Sequence, residues 1–569
     1  MPPKRKDFAK SKGKAKAKVL ILLIVNKMQN LLILGEAAVP VTENDFLEAA
    51  DTEEEGAGKW RMGDINKAVR FYNRAIDLYN SGLVRYPTSF DLAYNKANLQ
   101  YNMSEDARIV AVLGNRIALL EETLHSHRFA ISLGTDNTDV LFNTAQVLTS
   151  LAEAVLEEGA IDFKKVSART LLEEAVDIFT KCLDSQQRNY EQTQAEFAKA
   201  NMEQEQEQDQ DQEVSPSGYD ARRGSSGASS TSSSAPGDWA TVIEPLTPES
   251  ILETCTAQLG AMTTLISLYG SAEFGNTEVM TQTGLDTARN KIPALINLIQ
   301  EPPTKVIEES LPGPTLSLGS SPIVDEPESF PKDDAILASA NFQAAVADMT
   351  FRRNSNLASA IQYASQVEQL FAFPTQEPPM KDGKINIGVI NSLSSYSDAL
   401  IDVASAIMDS SFTDGQVEAS EIQWTALSQA QTILTQLATF TATLAPARLA
   451  GIFLARGDTD LFRFRLSRLG TAKPTWAKST AVLVGNAGVF YRGARAYAEK
   501  AGAGALETKV TANAKATIAE ILKEANGGTV SQKEHWRGTL AKVVDVLTQM
   551  VEEGVVDKDD AEGVVKFTS

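Results

Sequence analysis

Ala68-Val-Arg-Phe-Tyr-Asn-Arg-Ala75-Ile-Asp77 recurs further along the chain as Ala175-Val-Asp-Ile-Phe-Thr-Lys-Cys182-Leu-Asp184. Both copies keep Ala-Val, an aromatic four residues after the alanine, then a basic residue, a small residue and a closing Asp. A second self-match pairs Asp91-Leu-Ala-Tyr94-Asn95-Lys-Ala97-Asn98-Leu99 with Asp139-Val-Leu-Phe142-Asn143-Thr-Ala145-Gln146-Val147 at an offset of 48 residues. Aromatic, Asn, small residue and amide return in the same order. Small residues at helical spacing let two antiparallel helices approach closely, while the aromatic fills the gap to the next hairpin. Each unit therefore hides its apolar face only by stacking on a neighbour. The pattern predicts an all-α fold, a solenoid of helical-hairpin repeats.

Composition points the same way. The chain has 569 residues, of which 43% are hydrophobic, enough to bury substantial cores. Ala, Leu, Glu and Gln dominate the long segments, and alternating β-branched runs are scarce, which favours helix over sheet.

In these residues the chain resembles the tetratricopeptide family. That family's unit of about 34 residues carries Trp-x-x-Leu-Gly-x-x-Tyr in its first helix, Gly-Asp at the turn, Ala-x-x-x-Phe-x-x-Ala in its second helix and a closing Pro. Gly63-Asp64, Ala68, Tyr72 and Ala75 match the turn and second-helix positions, and Pro87 closes the unit seven residues late, implying a lengthened second helix or loop. An ungapped register spans 443–476. There Leu449, Ala450 and Phe453 fit the first helix, Gly457-Asp458 the turn, Leu466 and Leu469 the second helix, and Pro474 the closing position, although Phe462 is large for the alanine site. Asn354-Ser-Asn-Leu-Ala-Ser-Ala360-Ile-Gln-Tyr363 offers a further second helix. The resemblance covers about 55–184 and 340–500.

The resemblance implies a groove lined by first helices, with Tyr94, Asn98, Phe142 and Gln146 directed towards a peptide. Asn95 and Asn143 fall where chaperone-binding members of the family grip a peptide backbone, and an amide offers it both a donor and an acceptor. The competing reading puts Tyr94 and Phe142 in the core and leaves the amides as caps or bridges. A clamp for a C-terminal carboxylate is not expected, because Glu53, Ala57, Asp139 and Asn143 stand where such a clamp needs Lys, Asn and two basic residues.

Composition shifts divide the chain. A basic tail and apolar segment occupy 1–41, and a first helical block 42–200. An acidic, then Ser/Gly-rich, disordered linker follows at 201–246. A middle helical block covers 247–300, opened by the capping sequence Thr247-Pro248-Glu249. A Pro-rich linker spans 301–332, a second large helical block 333–555, and a tail 556–569.

Net charge is −21, yet residues 1–18 carry eight basic side chains against Asp7 alone. Such a body disfavours general phosphate-backbone binding and suits a basic protein partner, leaving nucleic acid contact to the tail. Lys4, Arg5 and Lys6 fit an import signal, giving an expected location in nucleus and cytoplasm. The alternating tract Glu203, Glu205, Glu207, Asp209, Asp211 and Glu213 makes a polyanion able to shield a basic client, or simply a solubilising linker. A late basic cluster, Arg448, Arg456, Arg463, Arg465, Arg468, Lys473 and Lys478, reads either as a solvated face or as a dock for acidic segments.

Val19–Val25 is apolar but is interrupted by Asn26, Lys27, Gln29 and Asn30, short of the roughly 20 residues of a membrane span. Cys182 and Cys255 form no disulfide framework and read as small buried apolar residues. His125, His127 and His535 read as surface histidines, with neither metal nor cofactor expected. Phosphate loops, nucleophile elbows and zincin patterns are missing from the sequence, so no enzyme and no small-molecule substrate are expected. The functional expectation is an escort or assembly scaffold for a basic client of ribosomal or chromatin type, with a permanent subunit of a larger complex as the alternative.

Overall fold

The computed structural model describes residues 39–157, 162–211, 246–269, 275, 277–300, 329–381, 383–410, 412, 414–527 and 540–568. The chain is all-α and divides into two units, the first ending at Gly134 and the second beginning at Thr135.

In the first unit α1 (Glu43–Trp60) and α2 (Ile65–Arg85) form a hairpin. Thr42 caps α1 in a reciprocal box with Asp45, and Asp64 caps α2 by accepting from the Lys67 N–H. Gly63-Asp64 is thus the turn expected. The late Pro87 follows from the length of α2, whose 21 residues carry the chain to Arg85 before it turns. A second hairpin joins α3 (Phe90–Glu105) to α5 (Arg116–Leu133) across a short α4 (Ala107–Leu113). Phe46, Val69, Tyr79, Leu92, Leu99 and Met103 form the core between them. Asp106 caps α4 and binds Arg61 Nε at 2.7 Å. Burial alone would raise the Asp106 carboxyl, but donors from Arg108 and Arg61 outweigh it and hold the group well below the usual carboxylate range.

The second unit opens with α6 (Thr138–Glu157) packed on α7 (Asp162–Asp211), a helix of 50 residues. Disorder expected from residue 201 is corrected at its start, since α7 continues to Asp211. Gln and Glu are good helix formers, and a helix already anchored by packing propagates without a new nucleation step. Gln187 and Gln192 also donate to Glu191 and Glu196, one turn on, at 2.9 Å each.

Next comes α8 (Pro248–Ser267), capped by Thr247 with Pro248 at its first position, as its opening sequence predicts. It packs on α7, on α10 (Ile292–Gln300) and on α11 (Pro331–Arg353), so the middle block is continuous with its neighbours. Between α9 (Glu278–Asp286) and α10 the helix widens into a π turn at Thr287–Lys291. There Thr287 donates to Gln258, Gln258 donates to Thr180, and Ser339 of α11 donates to the Ala288 carbonyl. These bonds tie α7, α8, the π turn and α11 through buried polar groups.

Two further hairpins follow, α11 with α12 (Leu357–Ala372) and α13 (Ile387–Asp409) with α14 (Gln416–Leu437). A small antiparallel ribbon, β1 (Met380–Lys381) with β2 (Lys384–Ile385), links them. Then α15 (Pro446–Ser467), the short α16 (Pro474–Ala477), α17 (Thr480–Ala501) and α18 (Leu506–Ala525) pack around Phe462, Phe464, Tyr491 and Ile518. The tail expected over 556–569 is instead mostly helix. There α20 (Lys558–Thr568) docks on α18 and α19 (Leu540–Glu552), burying Val564.

The repeat register expected over 443–476 is overturned. α15 is one helix of 22 residues running straight through Gly457-Asp458. Gly457 lies there because the Tyr491 ring packs against its backbone: a Cβ would sit 2.3 Å from Tyr491 Cε1. Asp458 lies there to accept from Tyr491 and Lys515. The dipeptide serves contact between helices, not chain reversal.

Candidate functional site

The six residues singled out for peptide binding lie on equivalent members of their hairpins. Tyr94, Asn95 and Asn98 are on α3, the first helix of its pair, while Phe142, Asn143 and Gln146 are on α6, also a first helix. All six are half-buried. The two triplets belong to different units. Tyr94 stacks on Phe90 (centroids 5.6 Å apart), and Phe142 meets Phe179 edge-on at 5.9 Å, so both aromatics take part in packing. Asn95, Asn98 and Gln146 have no side-chain hydrogen bond among the described residues, leaving their donors and acceptors for another molecule or water.

Glu203, Glu205, Glu207, Asp209 and Asp211 lie on the last turns of α7, whereas Glu213 and the basic Lys4, Arg5 and Lys6 lie outside the described residues, as does His535. The surface reading of the histidines holds for His125 but is corrected for His127. That side chain is fully buried in α5, with Nδ1 donating to the Thr123 carbonyl at 3.0 Å. Burial pushes its pKa below the ordinary value. Cys182 and Cys255 are buried free thiols, each pushed up to about 12 by burial.

Six of the seven side chains of the late basic cluster are engaged within their own unit, while Lys478 is exposed. Arg448 donates to Asn391, Arg456 lies over the Phe490 ring, and Arg463 pairs with Asp460 above Trp424. Arg465 donates to the Gly554 carbonyl, Arg468 pairs with Asp560, and Lys473 pairs with Glu421. Apart from the Arg463–Asp460 pair, which lies within α15, these contacts join different elements of the unit.

A different site emerges on the face shared by α11 and α13. Asp348 and Arg352 of α11 are joined at 2.8 Å, and Arg352 also reaches Asp409 of α13 at 3.2 Å. Asp398 and Asp402 follow on α13, open to solvent and one turn apart. Crowding by the surrounding helices pushes Asp398 up to about 6. The same cause, joined by the like charges of Asp348 and Asp398, pushes Asp402 up to about 7. Water reaches both side chains and screens part of that effect. Asp348 and Asp409 thus pair directly with one guanidinium, Asp402 feels its charge, and Asp398 continues the row of carboxylates along α13, an arrangement suited to cations.

Sequence reasoning missed this face, although one signal was present. Like charges at Asp398 and Asp402, four apart on a helix, are destabilising, which marks a position kept for something other than the helix. Among the described residues, no group of three or more His, Cys, Asp or Glu side chains is placed to hold a metal, and no helix is long and apolar enough to cross a membrane.

No family model matches the chain. Over 149 residues it is 29% identical to UPF0656 protein C926.02 of Schizosaccharomyces pombe, a match covering 26% of this chain and 32% of that protein. Over 62 residues it is 37% identical to the uncharacterized protein YNL193W of Saccharomyces cerevisiae, covering 11% of each. The chain therefore spans about a third and about a tenth of the lengths of these relatives. Among solved structures, a circular tandem repeat protein with novel repeat topology and enhanced subunit contact surfaces overlays 92% of this chain and 94% of its own, with 11% identity and a TM-score of 0.27. That overlap is too loose to define a common fold.

Proposed function

We propose that this chain is a non-enzymatic repeat scaffold of tetratricopeptide type that holds and escorts a basic protein client. The carrying observation is the acidic face of Asp348, Asp398, Asp402 and Asp409, where Arg352 pairs with Asp348 and Asp409 and leaves Asp398 and Asp402 without an ion pair among the described residues. Like charges set one turn apart on an exposed helix face repel one another, a cost that a Lys- or Arg-bearing segment relieves on binding. The net charge of −21 supports the same polarity of partner and speeds its approach. A ribosomal or chromatin-type protein meets that description, and the Lys4-Arg5-Lys6 string suits a protein that works in nucleus and cytoplasm.

The test is fluorescence anisotropy with a short labelled Lys/Ala peptide, comparing the wild type with the Asp398→Asn/Asp402→Asn double variant at low and high salt. The expected result is salt-labile binding that falls about tenfold or more in the variant. Equal binding by the two proteins removes the α11/α13 face from the function. Salt-resistant, stoichiometric capture of a cellular complex would favour a permanent structural subunit instead.

A further inference from the structure

We propose that the trough between α12 and α14 docks an amphipathic basic helix, with its apolar side down and its Lys or Arg side chains at the rim. This deepens the reading above, on which it rests, by giving the same basic client a second, apolar grip. The trough encloses about 430 Å³, with Leu400 of α13 among its lining residues. Ile361 and Ala364 line it from α12 and Ile422 and Ala426 from α14, and Ile361 is 54% exposed. Ser365, Thr425 and Gln429 line it as well, and over the apolar strip between them a covering apolar side chain is favoured by about 25 cal/mol for each Å² removed from solvent.

Rim charge selects the sign of the visitor. Glu368, Glu418 and Glu421 line the trough, and neither Lys nor Arg does. Glu421 is paired with Lys473 at 2.7 Å, whereas Glu368 and Glu418 have no ion pair among the described residues. The two unpaired carboxylates repel phosphate and carboxylate ligands and attract ammonium and guanidinium groups. Shape selects a helix. Lining positions run from Ile361 to Glu368 on one bank and from Glu418 to Gln429 on the other, about 10 and about 16 Å at the helical rise. A channel two to three turns long with apolar contacts at helical spacing is what an inserted amphipathic helix requires.

Leu400 stands two residues from both Asp398 and Asp402, so it points away from the acidic face and the two sites can be altered separately. The experiment is anisotropy on the full chain with two labelled probes of equal charge, an amphipathic Leu/Lys helix and the Lys/Ala peptide. Ile361→Ser, at an exposed position and with its fold checked by circular dichroism, is expected to weaken the Leu/Lys probe about tenfold and leave the Lys/Ala probe unchanged. Glu368→Lys/Glu418→Lys should weaken the Leu/Lys probe further. Ala364→Trp, with its fold checked by circular dichroism, should block that probe by filling the trough. Wild-type affinity for the Leu/Lys probe in Ile361→Ser, or equal loss for both probes, overturns the trough as a docking site. Unchanged Lys/Ala binding in Asp398→Asn/Asp402→Asn overturns the acidic face instead, so the two failures are separable.

Discussion

Tyr491 donates its hydroxyl to Asp458 Oδ1 at 2.7 Å, from within α17 to the middle of α15. Lys515 of α18 donates to both oxygens of the same carboxylate, at 2.8 and 3.0 Å. Both donors are buried, so Asp458 is the shared acceptor on which three helices converge. Burial alone would lower the Lys515 pKa, but Asp458 outweighs it and the ammonium stays charged. Asp458→Ala leaves the buried Tyr491 hydroxyl without its acceptor and the buried ammonium with only Glu553, 3.9 Å away, and an expected loss of about 2 kcal/mol follows. Urea unfolding of the full chain checks this. A loss below about 0.5 kcal/mol would mean that Glu553 and water satisfy the two donors.

Gly457 and Gly451, in the same helix, should respond to alanine with opposite signs. A Cβ at Gly457 meets the ring of Tyr491, which is itself fully buried and has no room to swing aside, whereas a Cβ at Gly451 meets nothing within 4 Å. Gly451→Ala is expected to stabilise by up to about 1 kcal/mol through helix propensity. Gly457→Ala should destabilise by about 1–3 kcal/mol through overpacking, despite the same gain in propensity. Thermal melts of the pair decide it, and a stabilising Gly457→Ala would defeat the packing account.

The two Gly-Asp dipeptides show how far the sequence is legible. At Gly63-Asp64 everything that decides the turn is local: Asp64 caps the N–H of Lys67, three residues away. At Gly457-Asp458 the deciding partners, Tyr491 and Lys515, lie 33 and 57 residues along the chain, and no local pattern reveals them. Helix content, the capped start at Thr247 and the hairpin places of Tyr94 and Phe142 were legible because periodicity and caps are short-range signals. The acidic face was half legible, since Asp398, Asp402 and Asp409 share one helix, while Asp348 and Arg352 join them only when α11 packs on α13.

The repelling pair Asp398 and Asp402 carries its own signature in pH. With folded pKa values pushed above the unfolded carboxyl value of 3.8, these groups favour the folded state fully only below that value, and the contribution is lost as pH rises through about 6 and 7. Asp398→Asn/Asp402→Asn should therefore melt about 1–2 °C above the wild type near neutral pH, after allowance for solvent screening. The gain should vanish near about pH 4. Differential scanning fluorimetry across that range measures it. Higher stability together with weaker peptide binding is the trade expected of residues kept for function. A variant that melts lower at neutral pH would show the carboxylates to be favourably paired.

His127 should respond to acid through burial. Burial holds its pKa below the usual 6.5, while the contact with the Thr123 carbonyl opposes this only in part. A group that stays neutral in the fold but charges when unfolded contributes stability that is complete above the unfolded value. That stability is lost as pH falls below it. Nε2 is buried without a hydrogen-bond partner, so a proton placed there has no acceptor to meet it. The first unit is therefore expected to lose stability between about pH 7 and pH 5 in the wild type. His127→Gln, which keeps a side-chain donor within reach of Thr123 but carries no titratable nitrogen, should start less stable by about 1 kcal/mol and decline more gently over the same interval. Hydrogen exchange of α5 amides, read separately from the second unit, isolates the effect. Parallel slopes for wild type and variant would assign the acid response to carboxylates such as Asp106, whose depressed pKa also makes stability fall with pH, but only below about pH 4.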